Sequence, residues 1–102
     1  LDIGHSSMKN TGSHSAAEMI RALGGKRLKS LHVHDNDRIS DLHTLPFTQK
    51  IDWDEVMTAL KEIHYDGDFT FEGDSFLEQF PDELAVHARL MLEVGRYFVR
   101  KY

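Results

Sequence analysis

A parallel α/β architecture, the last three βα units of a (β/α)8 TIM barrel with helices outside, is the fold class the sequence predicts. Three observations carry it. Short apolar alternations and amphipathic stretches follow one another as strand, helix, strand, helix, strand, helix, with helices long enough to cross back over a sheet. The strands are apolar on one face and carry Asp2, His32, His34, Thr70 and Glu72 on the other, whereas strands covered by helices on both sides are apolar throughout. The acidic and imidazole residues gather at strand C-terminal ends, where a (β/α)8 barrel keeps its chemistry. An open three-layer sheet fits the same order of elements.

Each element has its own residues. Leu1-Asp2-Ile3-Gly4-His5 alternates apolar and polar and reads as a strand, followed by a Ser-, Asn-, Gly- and His-rich loop over 6–14. Ser15-Ala16-Ala17-Glu18 matches a capping box; Met19, Ile20 and Leu23 supply the apolar stripe of the helix, and Gly24-Gly25 ends it. Leu31 and Val33 face one side of a central strand, with Ser30, His32 and His34 on the other. The stretch 28–43 that contains it holds three histidines and three aspartates, more potential ligands than any other segment. Asp52-Trp53-Asp54-Glu55 caps a second helix in which Trp53, Val56, Met57 and Leu60 recur at helical spacing, closed by Tyr65-Asp66-Gly67. Phe69-Thr70-Phe71-Glu72 alternates as a third strand. Pro81 suits the first turn of a last helix striped by Leu84, Ala88, Met91, Gly95, Phe98 and Tyr102.

Composition sets the limits. A chain of 102 residues, 40% hydrophobic and 28% charged, suits one globular unit with a modest core. Because Leu1 already reads as strand, residues 1–102 are expected to be the C-terminal fragment of a single barrel domain, inactive alone and completed by a missing N-terminal half or by self-association. No apolar run approaches the roughly 18 residues of a membrane span, no secretion signal opens the chain, and there are no cysteines. These point to the cytoplasm and exclude disulfides and thiolate metal sites. A net charge of -5 without a long Lys/Arg cluster argues against nucleic acid as a partner.

Asp2, His34 and Glu72 end three strands that the topology sets side by side, so their side chains can converge on one point. Two carboxylates and an imidazole, without sulfur, suit Mn, Mg, Co or Zn as divalent ions. His32 shares the face of His34 one residue pair deeper and is a candidate substrate contact. Asp41 and His43, two residues apart, can reach one cation if the loop is extended. His14, His64 and His87 fall on a loop, a helix end and a helix surface, and are read as ordinary surface histidines.

With these residues in view, the chain resembles the xylose-isomerase-like superfamily, which unites sugar and sugar phosphate isomerases and epimerases with apurinic nucleases of the endonuclease IV type. The resemblance rests on Asp2-Ile3-Gly4-His5, His32-Val33-His34-Asp35-Asn36-Asp37, Ser40-Asp41-Leu42-His43, Ile51-Asp52-Trp53 and Tyr65-Asp66-Gly67 before Phe71-Glu72. It implies that Asp2, His34 and Glu72 bind the metal, with one more glutamate from an earlier strand, and that Glu72 shares in the proton transfer of catalysis. His5 would contact substrate in the epimerases; in the nucleases His5, Asp41 and His43 would hold a further zinc. The implied function is a metal-dependent isomerase or epimerase acting on a small sugar, with Arg38 a candidate contact for its phosphate or hydroxyls. An apurinic nuclease with a multi-zinc centre and a non-catalytic sugar-binding relative are the alternatives. Thr44-Leu45-Pro46-Phe47 stands where the nuclease pattern has a glycine-rich turn.

Overall fold

In a computed structural model of the chain, residues 1–10, 12, 14–84 and 86–102 are described, without the side chain of His87. Thr11 and Ser13 of the predicted 6–14 loop, and the surface position predicted for His87, lie outside the described residues. The elements are α1 (Ile3–Ser6), α2 (Ala16–Arg27), β1 (Ser30–Val33), α3 (Trp53–Glu62), β2 (Asp68–Phe71), α4 (Asp74–Leu77) and α5 (Val86–Lys101), with a 3-10 turn at Asp82–Leu84 before the last helix.

This is a small α/β domain, and it corrects the predicted TIM-barrel architecture: five α-helices accompany only two parallel strands, and three βα units are not evident among the described residues. The first predicted strand is where the difference arises. Asp2 pairs with His32 in a single parallel bridge, and the chain then turns directly into α1. The Asp2 carboxylate caps that turn, accepting the backbone N–H of His5 at 2.8 Å, as short acidic side chains do at helix starts. Capping outcompetes extension at Ile3.

Three parallel segments still lie side by side. β1 runs in the middle, paired with β2 in the register Leu31↔Phe69 and Val33↔Phe71 and flanked on its other side by residues 1–2, where His32 N–H donates to Leu1 O at 3.0 Å. Beyond β2, Glu72 N–H donates to Val33 O at 3.0 Å. Asp2 is therefore set level with His32, and Glu72, which follows the partner of Val33, level with His34, one residue pair further along β1.

Leu31 and Val33 are buried and Ser30 and His32 exposed, the predicted alternation. The buried face shares a core with α1, α2 and α3 through Ile3, Ala17, Ile20, Trp53, Val56 and Leu60; each fully buried aliphatic side chain contributes about 1.5–3 kcal/mol. The Ser15/Glu18 capping box is present in full, and Asp52 caps α3 by accepting Glu55 N–H at 3.0 Å. The regular helix of α2 breaks at Gly24, as predicted, though a further turn follows to Arg27. Gly24 interrupts it at φ 68°, ψ 160°, a backbone excursion open to glycine. Pro81 does not open α5, which starts at Val86 after the 3-10 turn. The anchor of α5 is Phe98, buried among the rings of Phe47, Trp53 and Phe69 at 5.3–5.6 Å.

Candidate metal centre

The end of β1 supplies the central residue. His34 is fully buried, and its ring lies directly over Gly4, where any Cβ would overlap the imidazole. His34 Nε2 meets Asp2 Oδ1 at 3.1 Å and lies 3.9 Å from Glu72 Oε2. On the same face His32 Nδ1 lies 3.3 Å from Glu72 Oε2 and 3.9 Å from Asp2 Oδ2. Ligating atoms of Asp2, His32 and Glu72 all fall within 4.8 Å of one another. The structure thus brings Asp2, His34 and Glu72 together, and His32, one residue pair deeper on β1, reaches Asp2 and Glu72 with its side chain.

A second group adjoins the first. His5 Nδ1 lies 2.8 Å from Asp2 Oδ2 and its Nε2 3.1 Å from Asp41 Oδ2, while His43 Nε2 lies 3.0 Å from Asp41 Oδ1. His43 stacks on His34 with centroids 3.9 Å apart and planes 4° apart. One ligating atom each from His5, His34, Asp41 and His43 falls within 4.8 Å of the others. His43 adopts a positive φ of 47°, which turns its ring back under the loop so that Nδ1–H can donate to Glu72 O at 3.1 Å. With Nδ1 so engaged, Nε2 can face Asp41 only by carrying a second proton or by sharing a cation with it.

The charges follow from these contacts. Burial pushes the Asp2 carboxyl up, but the hydrogen bond from His34, the backbone N–H of His5 and both imidazole charges outweigh it and hold Asp2 well below the usual carboxylate range. The hydrogen bond to Asp41 raises His5 above 6.5 against a smaller opposing effect of burial, with the Asp2 charge adding to the rise. Burial likewise opposes, and the hydrogen bond to His5 and the charges of His5 and His43 overcome it, to lower Asp41.

Two buried atoms have no hydrogen-bond partner among the described residues: His34 Nδ1 and Glu72 Oε2. Buried polar atoms are rarely left so. Glu72 Oε2 has His32, His34 and His43 nitrogens at 3.3, 3.9 and 3.8 Å and a hydrogen bond from none of them. An ion-free cluster leaves this oxygen unsatisfied, and a divalent cation is the kind of partner that carboxylate and imidazole donors without sulfur select.

Two residues from the ligand-rich stretch have other roles. Asp35 is buried and accepts four N–H groups, from Asn36, Gln49, Ile51 and the Trp53 indole, at 2.8–3.1 Å. Its backbone exchanges two hydrogen bonds with Thr44. Asn36, also buried, donates to Gly4 O at 2.8 Å and accepts from Arg38 N–H at 2.9 Å. Together they tie the 36–51 loop to α1 and α3 and so set the height of His43 and Asp41. No local signal marked the role of Asp35, since three of its donors lie 14 to 18 residues further on. Arg38 is exposed and donates from Nε to Ser7 O at 3.4 Å, which holds its guanidinium against the loop after α1. His14 is exposed and pairs with Glu18 at 3.7 Å, as its surface reading expects.

A 71-residue stretch, 70% of this chain, is 35% identical to the uncharacterized protein y4fM of Sinorhizobium fredii. The match spans 22% of that protein, so the chain corresponds to about a fifth of its relative's length. No family model matches the chain, and no solved structure matches it.

Proposed function

We propose that the protein is a divalent-metal-dependent isomerase or epimerase of a sugar or sugar phosphate, a member by resemblance of the xylose-isomerase-like superfamily, working in the cytoplasm. The observation that carries this reading is the Glu72 carboxylate: one oxygen is buried and unsatisfied, close to His32, His34 and Asp2, in a shell whose donors fit Mn, Mg, Co or Zn. A bound ion there would act as a Lewis acid toward a sugar carbonyl and its neighbouring hydroxyl. Asp2, His34 and Glu72 would hold it, and His32 would orient the substrate. By the resemblance, Glu72 and the further glutamate would share the transfer of a proton from the carbon beside the carbonyl to the next carbon or the opposite face. Half-buried Asp2, held below the usual carboxylate range by its imidazole and backbone partners, would bring one negative charge to the shell.

One observation favours a second reading. The adjoining group His5, His34, Asp41 and His43 is the kind of donor set that a multi-zinc apurinic nuclease would use. The two readings separate in one experiment, in which the purified protein, loaded in turn with Mn, Mg, Co and Zn, is given a panel of ketoses, their phosphates and an abasic-site duplex. Carbon–hydrogen exchange with solvent deuterium on one sugar, abolished by Glu72→Gln, supports the isomerase. Duplex cleavage with zinc and no exchange on any sugar replaces it with the nuclease.

A further inference from the structure

An apolar groove of about 970 Å3 runs between α5 on one side and α3 and β2 on the other. Leu60, Phe69, Phe71, Met91 and Val99 form its surface, and the charged side chains along it are Lys61, Arg96 and Arg100, with no carboxylate among its lining residues. Arg96 is paired with Glu93 at 2.7 Å; Lys61 and Arg100 make no ion pair among the described residues. Exposed apolar surface of this size marks an interaction site, and its charge sets a requirement for the occupant, which must be apolar and acidic.

The chain carries one segment of that chemistry. Residues 74–84 contain Asp74, Glu78, Asp82 and Glu83 interleaved with Phe76, Leu77, Phe80 and Leu84. No residue of α4 or of the 3-10 turn is buried, Phe80 and Leu84 are 38% and 48% exposed, and the four carboxylates make no ion pair among the described residues. Phe80 packs edge-on against Phe76 with centroids 5.5 Å apart, which gives the segment a compact aromatic face.

We propose that residues 74–84 of a second copy of the chain dock in this groove, with Phe76 and Phe80 against its apolar surface and the carboxylates facing Lys61 and Arg100. The C-terminal end of the segment, with Asp82 and Glu83, leads into the start of α5, and the 14 residues from Val86 to Arg100 carry Arg100 of the same chain about 21 Å further along the helix axis. The contact joins two different surfaces, so it is heterologous and propagates into chains or closes into a ring.

The experiment is sedimentation of the intact protein across a range of concentration and salt, with two surface variants. The wild type is expected to gain mass with concentration and lose it at high salt, because rim charges are screened. The groove variant K61E/R100E and the segment variant D82K/E83K are each expected to associate at least about tenfold more weakly, since like charges face each other across the contact. In an equimolar mixture every contact between unlike variants pairs opposite charges, native in one direction and reversed in the other, so association is expected to return toward that of the wild type. A synthetic peptide of residues 74–84 is expected to return the wild type to monomer, which tests the contact without any variant having to fold. A wild type that stays monomeric up to about 1 mM, the dissociation constant of a very weak complex, overturns the proposal. So do variants that associate like the wild type, a mixture that remains monomeric, or a peptide without effect.

Discussion

Two carboxylates that follow β1 and β2, Asp35 buried whole and Glu72 with one oxygen buried, have opposite surroundings. Asp35 accepts four N–H groups, whereas Glu72 Oε2, equally removed from water, accepts none. A carboxylate with a full set of donors has its stabilisation built into the fold, and a further ligand would have to displace those donors. A carboxylate without them leaves desolvation uncompensated, and binding a cation is what relieves it. The difference separates a residue that shapes the loop from one that is free to bind, although both stand in or beside the same ligand-rich stretches of sequence.

The comparison breaks first at Asp35. Asp35→Ala leaves the indole N–H of Trp53 and the backbone N–H groups of Asn36 and Ile51 buried without an acceptor, and is expected to cost about 3–5 kcal/mol in urea unfolding. A loss below about 1 kcal/mol would mean that Asp35 is no more structural than Glu72. Gly4→Ala comes next. Its methyl group must push the His34 ring off Asp2, costing about 1–3 kcal/mol as overpacking does, and the same variant should bind divalent ions more weakly; unchanged affinity would show that the seat of His34 on Gly4 is immaterial to the centre.

The smallest effect is the pH dependence of the metal-free protein. Asp2 is depressed from 3.8, so its stabilising contribution is complete above about pH 4 and is lost as pH falls toward its folded value. His5 is raised from 6.5, so its contribution is present below about pH 6.5 and is lost as pH rises through the folded value. The thermal midpoint is expected to be highest between these limits. Asp2→Asn should flatten chiefly the acid side and His5→Gln chiefly the alkaline side, each with a smaller effect on the other limb because the two groups shift one another.

Much of the framework was legible because its determinants are local. Ser15 with Glu18 and Asp52 with Glu55 announce α2 and α3 within four residues, and alternation at Leu31/Val33 and Phe69/Phe71 marks β1 and β2. The first predicted strand failed because Asp2-Ile3-Gly4-His5 is short enough to satisfy either strand alternation or an N-capped turn, and the hydrogen bond from His5 N–H to Asp2 decides for the turn. α4 was missed because none of its residues is buried, so no apolar period reveals it. The meeting of Asp2, His34 and Glu72 was legible from strand ends alone, since a single bridge at Asp2 is enough to place it beside β1. The role of Asp35 was not, because three of its donors come from positions 14 to 18 residues further on, and nothing local distinguishes it from the neighbouring aspartates.

Calorimetric titration of Mn, Co and Zn into the metal-free wild type and into Glu72→Gln tests the central claim most directly. The wild type should bind a divalent ion with release of heat, and Glu72→Gln should lose at least about a hundredfold in affinity while matching or exceeding the wild type in metal-free stability, because a buried unsatisfied carboxylate has been neutralised. Equal affinity in the two proteins, or a Glu72→Gln variant that unfolds as easily as Asp35→Ala, would contradict the account and return Glu72 to the structural role that Asp35 fills.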